Sequence, residues 1–237
     1  MTGQDDMTEK PASPRKKKAA PKPEAGDDAA LKKAVLKEAL KDAAFDGFTD
    51  GMLAKAGKKA GADKDVLARL FPEGVASLIE YFSASVDAAM EEKLSALDLS
   101  KRKIRERIKL AVLTRLALLA PNKEAARRAA AMMTLPMHAG RASKLMYRTV
   151  DAMWRAAGDT STDFNFYTKR GILAGVYGST LVRWFNDTGE DESATEAFLD
   201  ARIENVMQFE KFKAKAKEAF ANFPVFAAWA APKPKAK

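Results

Sequence analysis

The segment from Gly158 to Asp191, GDTSTDFNFYTKRGILAGVYGSTLVRWFNDTGED, constrains the fold more than any other part of this chain. Past a polar opening (Asp159, Thr160, Ser161, Thr162, Asp163), Ile172, Leu173, Val176, Leu181 and Val182 recur at helical spacing. They predict a helix from Phe164 to about Asn186. Ser161 or Thr162 is placed to cap it, Asp163 to favour its positive end, and Phe166 and Tyr167 to begin its buried face. Gly171, Gly175 and Gly178 lay a smooth strip along the helix. Such a strip admits a flat ligand or simply another helix.

Capping explains the polar opening but not the density of aromatic and basic side chains after it. The run GDTSTDFNFYTKR closely resembles the signature of the TetR-like ubiquinone-biosynthesis accessory family, lipid-binding proteins named for the ninth coenzyme Q gene. That resemblance implies a non-catalytic role. Such a protein binds a polyprenylated quinone intermediate and presents it to the di-iron demethoxyubiquinone hydroxylase at a membrane. It also implies a partner-binding patch at the matching positions Met153, Asp163, Phe166 and Tyr167, with Phe166 standing where some relatives have tryptophan. Trp154 and Arg170 neighbour that patch, although Arg170 could equally pair with a carboxylate.

Composition argues against an enzyme. The chain has no cysteine, which excludes disulfides and thiolate chemistry. Its single histidine, His138, lies in LPMHAGR without a second ligand at metal-binding spacing, and reads as structural or solvated. No nucleophile elbow, dinucleotide fingerprint or P-loop occurs. No catalytic residue, metal or cofactor is expected; a bound isoprenoid lipid or quinone is.

Residues 1–30 balance six basic against six acidic residues and carry almost no large apolar side chain, so a disordered tail is expected. Its RKKK run at 15–18 reads as solvated. Asp5, Asp6 and Glu9 argue against a transit peptide, and no run suits a signal peptide. The expected location is therefore a bacterial cytoplasm, peripheral at the inner membrane, with the mitochondrial matrix less favoured.

Over residues 31–72, Leu31, Val35, Leu36, Ala39, Leu40 and Ala43 form a helical stripe closed by Phe45 and a Gly47–Phe48 turn. Two short helices follow around Gly61 and end at Phe71–Pro72. This resembles the helix-turn-helix of TetR regulators, but the positions that would read bases hold Ala68, Arg69 and Leu70. Lys58 and Lys64 remain as phosphate contacts. A retained fold with lost DNA reading is the expectation; a ligand-responsive, DNA-binding TetR-type regulator is the alternative.

Residues 73–207 are expected to form a helical lipid-binding and dimerisation domain. A long helix carries Leu78, Phe82, Val86, Ala89 and Leu94, and the run from Leu110 to Ala120 is nearly all apolar, interrupted by Arg115. Pro121 ends it. Methionines 132, 133, 137, 146 and 153 suit an adaptable core or a pliable lipid pocket, and the family resemblance tips the choice to a pocket. Its candidate lining is Leu113, Leu116, Met133, Met146, Trp154 and Val176.

Residues 208–237 hold seven lysines against two glutamates beside an aromatic stripe. An interfacial membrane helix needs that pattern, although docking on the domain or a dimer mate would use the same stripe. The membrane-binding candidates are Phe209, Phe212, Lys213, Lys217, Phe220, Phe223, Phe226 and Trp229. An all-α, TetR-like domain, forming a homodimer through its C-terminal helices, is the expected architecture.

Overall fold

The computed structural model of the protein describes residues 25–160, 164–189 and 191–221, with side chains for all of these but 25, 26, 164, 165, 213, 214 and 216–221. Every regular element among them is helical. In chain order these are α1 (Ala25–Asp46), α2 (Asp50–Ala60), α3 (Lys64–Leu70), α4 (Val75–Ser95), α5 (Ile104–Leu119), α6 (Lys123–Met133), α7 (Ala139–Ala156), α8 (Phe164–Phe185) and α9 (Ser193–Ala221).

The first three helices form a small unit. In α1, Val35, Ala39 and Ala43 are fully buried, and the helix lies mainly on α2. Thr49 caps α2 by accepting from the Met52 N–H at 3.1 Å, and Asp63 caps α3 by accepting from Val66 at 2.8 Å. Gly61 between them adopts the left-handed conformation, φ 82°. The Leu67 side chain of α3 packs directly over Gly57 of α2: a Cβ there would sit 2.3 Å from its Cδ1, so a larger residue would force Leu67 to shift. The helix-turn-helix-like unit is therefore present. Arg69, the one base-reading candidate, pairs with Asp28 of α1, and Lys64 is flanked by Asp63 and Asp65. Carboxylates beside both cations disfavour a phosphate backbone.

Two boundaries differ from expectation. The helix α1 begins at Ala25, inside the predicted tail. Alanines favour helix, and Asp27 and Asp28 in the first turn complement its positive end. Residues 1–24, with the RKKK run, lie outside the described residues. At the other end, the predicted break between a domain helix and a membrane helix at 207/208 is absent. The helix α9 runs unbroken from Ser193 to Ala221, because no Gly or Pro interrupts that span. Phe45 does not close its stripe either, being 82% exposed.

The remaining helices share one core. The helix α4 packs on α5 and α7, α8 lies against α7 and α9, and α5 touches α9. Leu78, Met90, Val112, Leu116, Val150, Met153, Trp184 and Leu199 form its dry centre. Asp187 holds the α8–α9 connection, accepting from the Thr195 hydroxyl at 2.6 Å and the Thr195 N–H at 2.9 Å. Those bonds hold its carboxyl below the usual range.

Candidate functional site

Packing α4 to α8 together leaves an apolar cavity of about 520 Å³. Phe82, Leu119, Met133, Met146, Leu181 and Phe185 supply much of its wall. It reaches solvent where Thr134, Ala139 and Val182 are exposed. A second cavity, of about 300 Å³, lies among α5, α7, α8 and α9, lined by Ile108, Trp154, Ile172, Val176, Ile203 and Met207. The six predicted lining residues divide accordingly. Met133 and Met146 line the larger cavity, and Trp154 and Val176 the smaller. Leu113 and Leu116 line neither: Leu116 is 2% exposed within the core, and Leu113 is half-buried against it. The all-apolar face of α5 is spent on helix packing there.

The larger cavity carries a polar wall that sequence reasoning missed. Arg115 donates to Asp87 at 2.7 Å, to the Ser83 hydroxyl at 2.9 Å, to Thr149 at 3.4 Å and to the Tyr177 hydroxyl. Thr149 in turn donates to Asp87 at 3.0 Å. Arg115, Asp87, Thr149 and Tyr177 are all buried, and Ser83, Arg115, Thr149 and Tyr177 line the cavity. Burial opposes the charge on Arg115, but Tyr177 and Asp87 outweigh it and the guanidinium stays protonated. Burial pushes the Tyr177 hydroxyl up, against the opposing pull of Arg115, so it keeps its proton at neutral pH. The signal was present in the sequence: a charge sits inside each of two apolar stripes, Asp87 on α4 and Arg115 on α5.

Beside this, the signature folds into a locked junction between α7 and α8. Gly158 is left-handed, φ 83°, and lets α7 terminate, with the N–H of Asp159 donating to the Trp154 carbonyl at 3.0 Å. The chain then returns so that Arg170 donates to Asp151 at 2.6 Å, to Asp159 at 3.3 Å and to the Phe166 carbonyl at 3.1 Å. Its guanidinium stacks 3.3 Å from the Phe166 ring centre. Lys169 donates to Asp159 at 2.8 Å, and the Trp154 indole N–H to the Lys169 carbonyl at 3.2 Å. Arg170 thus takes the carboxylate-pairing role.

The predicted partner patch is divided by this geometry. Tyr167 is 68% exposed, and its ring meets half-buried Phe166 edge to face at 5.1 Å. Neither aromatic begins a buried face as predicted. Met153 is fully buried on the inner side of α7 with Val150 and Ala152, so no partner can touch it. Ser161, Thr162 and Asp163 lie outside the described residues. On α9, Phe209 and Phe212 are 61% and 69% exposed. The side chains of Lys213, Lys217, Phe220, Phe223, Phe226 and Trp229 lie outside the described residues. His138 is half-buried at the start of α7, and the described residues contain no group that could hold a metal. No described helix is long and apolar enough to cross a membrane.

The helices that build the junction and the cavity wall coincide with a family match. Residues 139–210 match the COQ9 family model. The resemblance read from the signature is thereby shown. The chain is 37% identical over 147 residues to the mitochondrial ubiquinone biosynthesis protein COQ9 of Rattus norvegicus, covering 59% of this chain and 47% of the relative. Its Homo sapiens counterpart is 39% identical over 118 residues, 49% of this chain and 37% of the relative. The chain therefore spans about half the length, or less, of the curated COQ9 proteins it matches. In structure, a TetR transcriptional regulator from Nitrosomonas europaea superposes with TM-score 0.60 at 18% identity, over 74% of this chain and 97% of that one. The fold is all-α and TetR-like. One expectation is overturned: these COQ9 proteins, and that of Dictyostelium discoideum, are named mitochondrial, in conflict with a bacterial inner-membrane location that ranked mitochondria second. That expectation rests on three acidic residues near the start, which bear on an import signal and not on the folded domain.

Proposed function

We propose that this chain is a non-catalytic, lipid-binding protein of ubiquinone biosynthesis. It holds a polyprenylated quinone intermediate and presents it, beside the exposed Tyr167, to the di-iron hydroxylase that acts on that intermediate. The observation that carries this reading is the apolar cavity of about 520 Å³, within the range of ligand sites, whose α7 and α8 walls lie in the stretch that matches the COQ9 family model. The COQ9 relatives are named ubiquinone biosynthesis proteins, which supports the pathway. Burial supplies the affinity: at about 0.8 kcal/mol per buried CH₂, a few prenyl units suffice. The exposed Phe209 and Phe212 on lysine-rich α9 support contact with a membrane surface, where such a lipid resides. Pairing through the C-terminal helices into a homodimer belongs to the same proposal.

Replacing Tyr167 with Ala tests presentation. An exposed aromatic at the centre of a contact is worth about 2 kcal/mol or more, so hydroxylase affinity should fall at least about thirtyfold with lipid occupancy unchanged. Unchanged hydroxylase binding would remove the patch from Tyr167.

A further inference from the structure

The buried network on the cavity wall is not needed for packing alone. Apolar side chains of similar volume in place of a buried ion pair are often as stable or more so. Four members of the network, Ser83, Arg115, Thr149 and Tyr177, nevertheless line the larger cavity.

Two features define what the wall can receive. The Arg115 charge is already cancelled by Asp87 at 2.7 Å, so a ligand anion would enter as an uncompensated charge in an apolar cavity. The Tyr177 hydroxyl accepts from Arg115, yet among the described residues it donates to nothing. Its residue is 2% exposed and lines the cavity, so an acceptor for that proton has to come from the cavity side. A hydroxyl that accepts from a guanidinium is also polarised into a better donor.

We propose that Tyr177, held in place by Arg115, is the hydrogen-bond donor with which this cavity selects neutral apolar ligands bearing an acceptor oxygen, such as a ring carbonyl or ether. The same wall rejects anionic lipids such as fatty-acid carboxylates. This rests on the reading that the larger cavity takes the lipid. Arg115 acts through Tyr177 as a positioning residue, and Asp87 neutralises it.

The test is equilibrium dialysis of the full chain and its Tyr177→Phe variant against decyl-1,4-benzoquinone, decylbenzene and decanoate. The tail is constant, so comparing each probe between the two proteins cancels its transfer from water. Tyr177→Phe should weaken decylbenzoquinone about tenfold and leave decylbenzene unchanged, as expected for one buried hydrogen bond. Decanoate should not be retained by either protein. Equal weakening of both neutral probes would overturn the inference and leave the cavity reading intact, as would retention of decanoate as tightly as the quinone. Failure of the wild-type chain to hold either neutral probe would overturn the cavity reading itself, and this inference with it. A second measurement needs no variant: the carbonyl stretch of quinone bound to the wild-type chain should lie below its value in hexane. An unshifted band would overturn the donor role of Tyr177.

Discussion

Arg115 and Arg170 are both buried, 5% and 3% exposed, and each donates to an aspartate at close range, 2.7 Å to Asp87 and 2.6 Å to Asp151. Their surroundings differ. Around Arg170, Asp159 and the Phe166 carbonyl take further N–H groups and the Phe166 ring covers the guanidinium face. Arg170 lines neither cavity, and these contacts fasten the start of α8 to the end of α7. Around Arg115, Ser83, Thr149 and Tyr177 complete the set, but these same residues form part of a cavity wall. A buried ion pair therefore says little about function by itself. What the pair borders decides whether it braces the fold or meets a ligand.

The largest effect that would sharpen this contrast is on stability. Arg115→Met strands Asp87 and should lower the unfolding free energy by about 3 kcal/mol in chemical denaturation, while Arg170→Met should cost less, because Asp151 keeps Arg155 and Asp159 keeps Lys169. The two sites part at the next step. Adding Asp87→Leu to Arg115→Met removes the stranded charge and should recover most of the lost stability, while the preference for decylbenzoquinone over decylbenzene disappears. Arg170→Met should leave that preference intact in the folded fraction. If the Arg115→Met, Asp87→Leu pair keeps the preference, the two arginines are both braces and the contrast collapses.

A smaller effect should appear at alkaline pH. Burial raises the Tyr177 pKa above its ordinary value of about 10. Between that value and the folded one, the folded chain binds more protons than the unfolded chain, so stability falls with rising pH. It should be intact below about pH 10 and decline above it, and Tyr177→Phe should flatten the decline. A denaturation midpoint with the same alkaline slope in both proteins would place the titration elsewhere.

Much of the fold was legible because it is written locally. Gly61 and Pro121 mark helix ends, and the stripe from Leu31 to Ala43 marks a buried face. The signature was legible as a family mark, but its parts were misassigned. Met153 is buried on the inner side of α7 instead of on the surface it was read onto, and Arg170 is paired with Asp159 and Asp151, well before it in the chain. The cavity was legible only in part. Met133 and Met146 are on its wall, but an apolar helix face reads alike whether it meets a core or a void, so Leu113 and Leu116 were indistinguishable from them. The Arg115 network joins residues from four helices, and only packing could bring its charges together.

Native mass spectrometry of the full chain, purified from a quinone-synthesising host and followed by organic extraction, tests the central claim most directly. The wild-type chain should carry a neutral isoprenoid lipid of the quinone type. Gly178→Leu should carry none, because a Cβ at Gly178 already meets Met146 Cε at 3.6 Å on the cavity wall and a longer side chain fills the space. A wild-type chain that flies empty under gentle conditions, or that carries a fatty-acid anion in this cavity, would contradict the account.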